Sequence, residues 1–544
     1  MAVILTAPAV LFFDPFGLFR GAHIARDPTS IYRLYGDDFA YIAASRTLPR
    51  AVSNLFVPHL THVVPAWRLW TWTLVAGAGL LERLPAVLAV ASYAILVAVM
   101  LLIGRFVALE TGRPALGLAA MVAMGTTSVM ASPTCWYSAG QTLWAGFGVL
   151  ATLWYAQHYR RSRILLSLPL AAGSAMLAGW SWTIGHVAGP VAALYLWLDG
   201  RRPCRWAAAA PLAGTGLAVL LSVLLGASRV DSPASLHGRT TREAADPLEG
   251  VLHTAQAIPE NLMLGNLGLK VRTTETQGVV LTLLVLGTWA SIRWRQGLLR
   301  AFNPLECTGA GLVLVSYLIE WTVRGYMPFR YLRTISMGMI VPWYDTVPQI
   351  GAVLFAAGWI AGPRSIQGPV RPGRAGRPSR LDALRVLGLL AVVFVLNRPR
   401  VELLWRNWVP PLTASERERN MFPLTSMQSM RANALLLDRA AWQRRHLRRL
   451  DQAQQVASRL GIGLEAIRSA FGRLDIPELP KEYDAAGLLD LPERGWLTDP
   501  AAVRRALAPY VMMEPEPRPA WLPREEPWPP ADRSDRPEPE VDGS

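Results

Sequence analysis

Apolar runs of 15–22 residues recur along the first 400 positions of this chain, a length suited to helices that span a bilayer. They lie near 2–19, 85–104, 115–131, 139–157, 164–180, 183–198, 207–227, 278–291, 308–323, 347–362 and 383–397. The expectation is an all-α, polytopic helical membrane protein of about 11 spans, occupying residues 1–399. A further apolar stretch, 66–81, is short and bracketed by Arg68 and by Glu82-Arg83; its Trp67, Trp70 and Trp72 suit a helix lying at the interface.

Orientation follows from arginine. Arg105 and Arg113 follow the second run, Arg160, Arg161 and Arg163 the fourth, and Arg201, Arg202 and Arg205 the sixth. Arg293, Arg295 and Arg300 follow the eighth, and Arg364, Arg371, Arg374, Arg377 and Arg380 the tenth. Every second loop is thus basic, as cytoplasmic loops are. The loops between them face outward, including 20–84 and 228–277, and parity puts the C-terminal region outside as well. The implied place is the inner (cytoplasmic) membrane, multi-pass. The first run contains Pro8, Asp14 and Pro15 and has no basic residue before it, which suggests that an upstream piece is lost; a cleaved signal peptide would need a basic start and a small-residue cleavage site.

Charge separates the chain into parts. Residues 1–399 hold 33 of the 54 basic and 17 of the 39 acidic side chains, and the remainder is nearly neutral. Positive charge therefore belongs to the apolar part, which argues against a nucleic-acid partner. Cys135, Cys204 and Cys307 lie far apart, excluding a disulfide scaffold and a cysteine zinc site. Residues 400–513 read as a small, mainly helical extracytoplasmic region, with helical periodicity at 413–421, 431–459, 464–472 and 500–511. Residues 514–544 are rich in proline and acid and are expected to be disordered. Within 459–474, a superficial helix-turn-helix pattern reads better as a packed hairpin.

Carboxylates are scarce before residue 400, so the candidates for chemistry are few. In the first outward loop Asp37 and Asp38 follow Gly36, and His59 and His62 stand three apart beside Pro58 and Pro65. Paired carboxylates at a bilayer edge deprotonate and orient an acceptor hydroxyl or hold a divalent cation. The histidines can meet a phosphate or an acid–base partner. The plain alternative is that Asp37 caps a helix and the histidines anchor the interfacial one.

An acidic pair right after the first span, then a histidine–proline segment leading into an interfacial helix, resembles the C-type membrane glycosyltransferases, which include the protein O-mannosyltransferases and the lipid A aminoarabinose transferases. The resemblance covers roughly residues 1–200 in layout, with its residue-level support in 36–68. It implies a multi-spanning protein that takes a sugar from a polyprenyl-phosphate carrier and acts on the outer face. Asp37 or Asp38 would then activate the acceptor, whether glycan, lipid or protein. Many members carry a further acidic residue in the second outward loop; here that loop reads ASPTCWYSAGQ, without a carboxylate. Trp136 and Tyr137 in it could stack on a sugar or form an aromatic belt.

A second cluster lies at 320–349. Glu320 and Arg324 are spaced for an ion pair, Arg330, Tyr331 and Arg333 follow, and Tyr344 and Asp345 stand beyond. Arginine suits a bidentate grip on phosphate, and charge at membrane depth marks function by default. The same arginines could instead meet membrane lipid or fix helix packing against Glu320 and Asp345. His186 reads as a packing histidine. No phosphate loop, metalloprotease motif, nucleophile elbow or dinucleotide fingerprint is present, so a lipid-linked donor is favoured over a nucleotide sugar. No cofactor is firmly implied beyond a possible divalent cation. The competing class is a non-enzymatic lipid or glycan transporter, or an assembly protein.

Overall fold

The computed structural model describes residues 1–13, 41–42, 44–45, 47–58, 62–78, 84–227, 247–259, 262, 275–295, 303–324, 342–362 and 379–408. All belong to one unit of the chain. Among them the protein is helical, with no strand. In order the helices are α1 (Ala2–Phe13), α2 (Leu48–Ser53), α3 (Pro65–Ala78), α4 (Leu84–Thr111), α5 (Pro114–Gly125), α6 (Ala131–Cys135), α7 (Gln141–Ser162) and α8 (Ser167–Ser181). Then come α9 (Ala188–Trp197), α10 (Arg202–Ala207), α11 (Ala209–Ala227), α12 (Pro247–Ala257), α13 (Glu275–Arg295), α14 (Pro304–Arg324), α15 (Thr346–Ala361) and α16 (Arg380–Trp408).

Proline opens α3, α5, α12 and α14, where its missing N–H is no loss. At the arginine-rich end the helices stop on left-handed residues: Gly112 after α4 and Gly200 after α9 have φ of 68° and 76°. Neighbouring helices run antiparallel and touch through small residues. A Cβ on Gly117 of α5 would lie 2.4 Å from the Gly104 carbonyl of α4, and one on Gly148 of α7 would lie 2.8 Å from Ala178 of α8. Gly309 of α14 meets the Gly351 carbonyl of α15 in the same way, at 2.5 Å. Close backbone approach through small residues is how helices associate where no water drives them together. The α7 helix lies at the centre and is buried through most of its length.

Where described, the eleven apolar runs lie mainly on helix, but several are interrupted, as at 126–127 and 164–166, and few make a helix of spanning length. Two helices, Ala86–Thr111 with mean hydropathy 2.8 and Arg202–Gly226 with 2.0, are long and apolar enough to cross a membrane. The bent pair Pro114–Gly125 and Ser128–Cys135 makes a third, with a 52° angle between its halves. Ala2–Phe13, Pro304–Ile319 and Thr346–Ala361 are apolar but shorter. Outward faces of α11, α13 and α16 carry exposed leucine and valine, such as Leu220, Val223, Leu283, Leu284, Leu387 and Val395. Apolar surface on that scale suits lipid better than water.

Continuity is lost at the end away from the arginines. Between α5 and α7 the chain makes a 3₁₀ turn at Ser128–Met130, the short α6, and a second turn at Ser138–Gly140. Thr126 turns its hydroxyl back onto the Val122 carbonyl at 2.7 Å, and the freed Ser128 N–H donates to Asn397 Oδ1 of α16 at 2.8 Å. Between α8 and α9, Trp182 is extended (φ −161°, ψ 144°) and Thr183–Val187 form a 3₁₀ turn. A further 3₁₀ turn, Pro342–Asp345, leads into α15. The Ser128–Met130 and Pro342–Asp345 turns lie against each other, and Thr183–Val187 packs on α7, α8 and α14. Of the C-terminal region expected at 400–513, only 400–408 is described, as the end of α16, and 514–544 lies outside the described residues. The two long outward loops are described in part, including α2 and α3 in the first and α12 in the second.

Candidate functional site

The three breaks bring distant parts of the sequence together. The His62 ring lies on Trp182, with centroids 4.0 Å apart, and its Nδ1 meets the Thr183 hydroxyl at 2.6 Å. Across Trp182 stands Tyr344, at 6.1 Å between centroids, and the next residue is Asp345. The Asp345 carboxylate is buried and accepts a hydrogen bond from the Tyr317 hydroxyl of α14 at 2.7 Å. Thr346 continues the line to Thr142 at the start of α7, hydroxyl to hydroxyl at 3.0 Å. A buried imidazole, an indole platform, two phenols and a carboxylate thus border one region. Such a set can stack on a ring, donate to an oxyanion and move a proton.

Helix α3 closes one side. Trp67 and Arg68 point inward although the helix carries apolar side chains all round. Tyr137 packs against Trp67 at 4.6 Å between centroids, and its hydroxyl donates to Thr71 at 2.6 Å. The Tyr137 ring is fully enclosed, so its contacts anchor α3 to the bundle. Trp136 is nearly as buried. Arg68 donates to the Val57 carbonyl at 3.0 Å and lies 5.9 Å from the Tyr41 ring; burial pulls its pKa down to about 10, partly offset by Tyr41. Tyr41 in turn reaches Gln141 at 3.4 Å.

At the opposite end, the buried carboxylates Glu110 and Glu306 are paired within the bundle. Glu110 of α4 accepts from Arg160 and Gln157 of α7 and from Tyr195 of α9, at 2.6–2.7 Å. Glu306 of α14 pairs with Arg293 of α13 and accepts from Trp289 at 2.8 Å. With both carboxylates filled by donors on neighbouring helices, this end is a clamp.

Of the residues singled out by sequence, His62, Trp136, Tyr137 and Asp345 are brought to the broken end. Glu320 and Arg324 fall on the last turns of α14, at that same end. Asp37, Asp38, His59, Arg330, Tyr331 and Arg333 lie outside the described residues. Sequence reasoning missed Trp182, Thr183 and Tyr317. The signal for the first two was present in GWSWTIGH, where polar residues and glycines interrupt an apolar stretch. His186 donates from Nδ1 to the Thr183 carbonyl at 2.7 Å and packs on Gly179, a supporting place next to the site. Among the described residues, no three His, Cys, Asp or Glu side chains gather as a metal-binding group. No family model, no curated protein and no solved structure matches this chain.

Proposed function

We propose that this protein is a membrane glycosyltransferase of the C-type, moving a sugar from a polyprenyl-phosphate carrier to an acceptor on the outer face. One observation supports the reading above others: His62, from the loop that carries the resemblance, shares a site with Trp182 and with Tyr344-Asp345, about 280 positions further on. The two clusters that the reaction needs, one for the acceptor and one for the carrier, then adjoin. In this reading the chain crosses the inner membrane about eleven times, with its arginine-rich loops in the cytoplasm and its C-terminal region outside.

Asp37 or Asp38 takes the proton of the acceptor hydroxyl as it attacks the anomeric carbon, while the carrier phosphate leaves with the bonding electrons. Arg324, Arg330 and Arg333, with His59, His62 and Tyr331, receive that phosphate, since arginine's planar fork matches its oxygens. Trp136 and Trp182 border the sugar, and Glu320 and Asp345 hold the arginines in place. A divalent cation is the other use of the acidic pair, and sensitivity of transfer to chelation separates the two. The decisive measurement is transfer from polyprenyl-phosphate sugars by the reconstituted protein. Asp37→Asn or Asp38→Asn should lower turnover by roughly a hundredfold, the usual contribution of a positioned base. Full turnover in both variants would sink the assignment.

A further inference from the structure

The arginine-rich end holds a surface that the proposed reaction does not use. The turn after α7 and the turn after α9 are fastened to each other there. Arg163 donates to Cys204 Sγ at 2.9 Å and lies 4.0 Å from Asp199, while Arg201 donates to the Arg160 carbonyl at 3.2 Å and to Asp199 at 2.9 Å. Burial pushes the Asp199 carboxyl up, but hydrogen bonds from Arg201 and Cys204 hold it below its ordinary range, so it is charged. Residues 160–205 nevertheless contain six arginines and this single acid. Even with Glu110 counted, four positive charges are left over. Arg202 and Arg205 are exposed, and among the described residues neither has an acidic partner.

What covers this surface must be both anionic and apolar. Leu165 is 71% exposed, Leu166 65% and Trp206 80%, and Arg205 lies 5.4 Å over the Trp197 ring. Water or a soluble acidic protein would leave those leucines and indoles poorly served. Position decides the matter: Arg202, Arg205 and Trp206 form the first turns of Arg202–Gly226, one of the two helices of bilayer length. At 1.5 Å per residue its 25 residues reach about 37 Å, beyond a hydrocarbon core of about 30 Å, so its first turns stand at headgroup level.

We propose that Arg163, Arg202 and Arg205, with Trp197 and Trp206, form a docking surface for anionic phospholipid headgroups of the leaflet at this end. It rests on the bundle being membrane-embedded, though not on the glycosyltransferase reading. The test is to reconstitute the full chain in mixed phosphatidylcholine and phosphatidylglycerol vesicles and weigh the lipid retained on extraction. The wild type should retain phosphatidylglycerol preferentially, with the preference falling about fivefold for each of R202Q and R205Q and collapsing in high salt. R50Q, in α2 and away from this surface, should leave it unchanged. An equal fall in R50Q would make the preference a general effect of net charge and overturn the site. Loss of the preference on adding inorganic phosphate would reassign the arginines to a soluble anion. Recovery in both lipids with no preference refutes the surface alone, whereas failure to enter vesicles of any composition refutes the membrane reading with it.

Discussion

The hydroxyl of Thr183 meets the ring of His62 at its Nδ1, and that contact fixes the rotation of the imidazole. Indole stacking from Trp182 holds the plane and Thr183 holds the rotation about it. Thr183→Val keeps the shape and removes the hydroxyl, at a cost of about 1–3 kcal/mol for the polar atom left behind. Under the proposed reaction, transfer should drop about tenfold and the acid limb of its pH profile should move. Thr183→Ser should restore both. Equal activity in the valine and serine variants would leave Thr183 with a packing role only.

At the scale of elements, the break between α8 and α9 depends on one close approach. A Cβ on Gly185 would lie 2.0 Å from the Ala178 carbonyl oxygen, and backbone there cannot step aside as a side chain would. Gly185→Ala should therefore lower thermal stability in detergent by about 1–3 kcal/mol. Gly173→Ala, on the same α8 with nothing within 4 Å, should be neutral or stabilising by up to about 1 kcal/mol. A Gly185→Ala melt no lower than that of Gly173→Ala would show that the break does not depend on this contact. The same contrast explains what could be read in advance. Helix positions were legible because apolar content and length are local properties, and runs such as 207–227 and 347–362 land on α11 and α15. The breaks were not, because Trp182 and Thr126 depart from helix for reasons of packing against α7 and α16, which no window of sequence contains. Asp345 was legible as a rare carboxylate; its partner Tyr317, 28 residues earlier, was one aromatic among many.

For the whole molecule, orientation is the claim from which most else follows. Arginine alternation places one end of every helix, and the structure keeps the turns after α4, α7 and α9 at one end of the bundle. A cysteine introduced at Ser415, with Cys135, Cys204 and Cys307 replaced by alanine, should react with an impermeant maleimide added from outside. Reaction only after the membrane is opened would invert the parity and place the C-terminal region in the cytoplasm.

The Glu110 clamp also sets an order of assembly. Its acceptor leaves the ribosome first, while Arg160 follows 50 residues later and Tyr195 85 residues later. At roughly 5–20 residues per second, the carboxylate waits on the order of seconds for its first donor. Until α7 arrives, Glu110 lacks the Gln157 and Arg160 donors that fill its carboxylate in the finished bundle. The second clamp works in reverse, because Arg293 emerges before Glu306 and the cation is the one that waits. In both clamps, then, one partner of a buried ion pair is made well before the other, the anion in the first and the cation in the second.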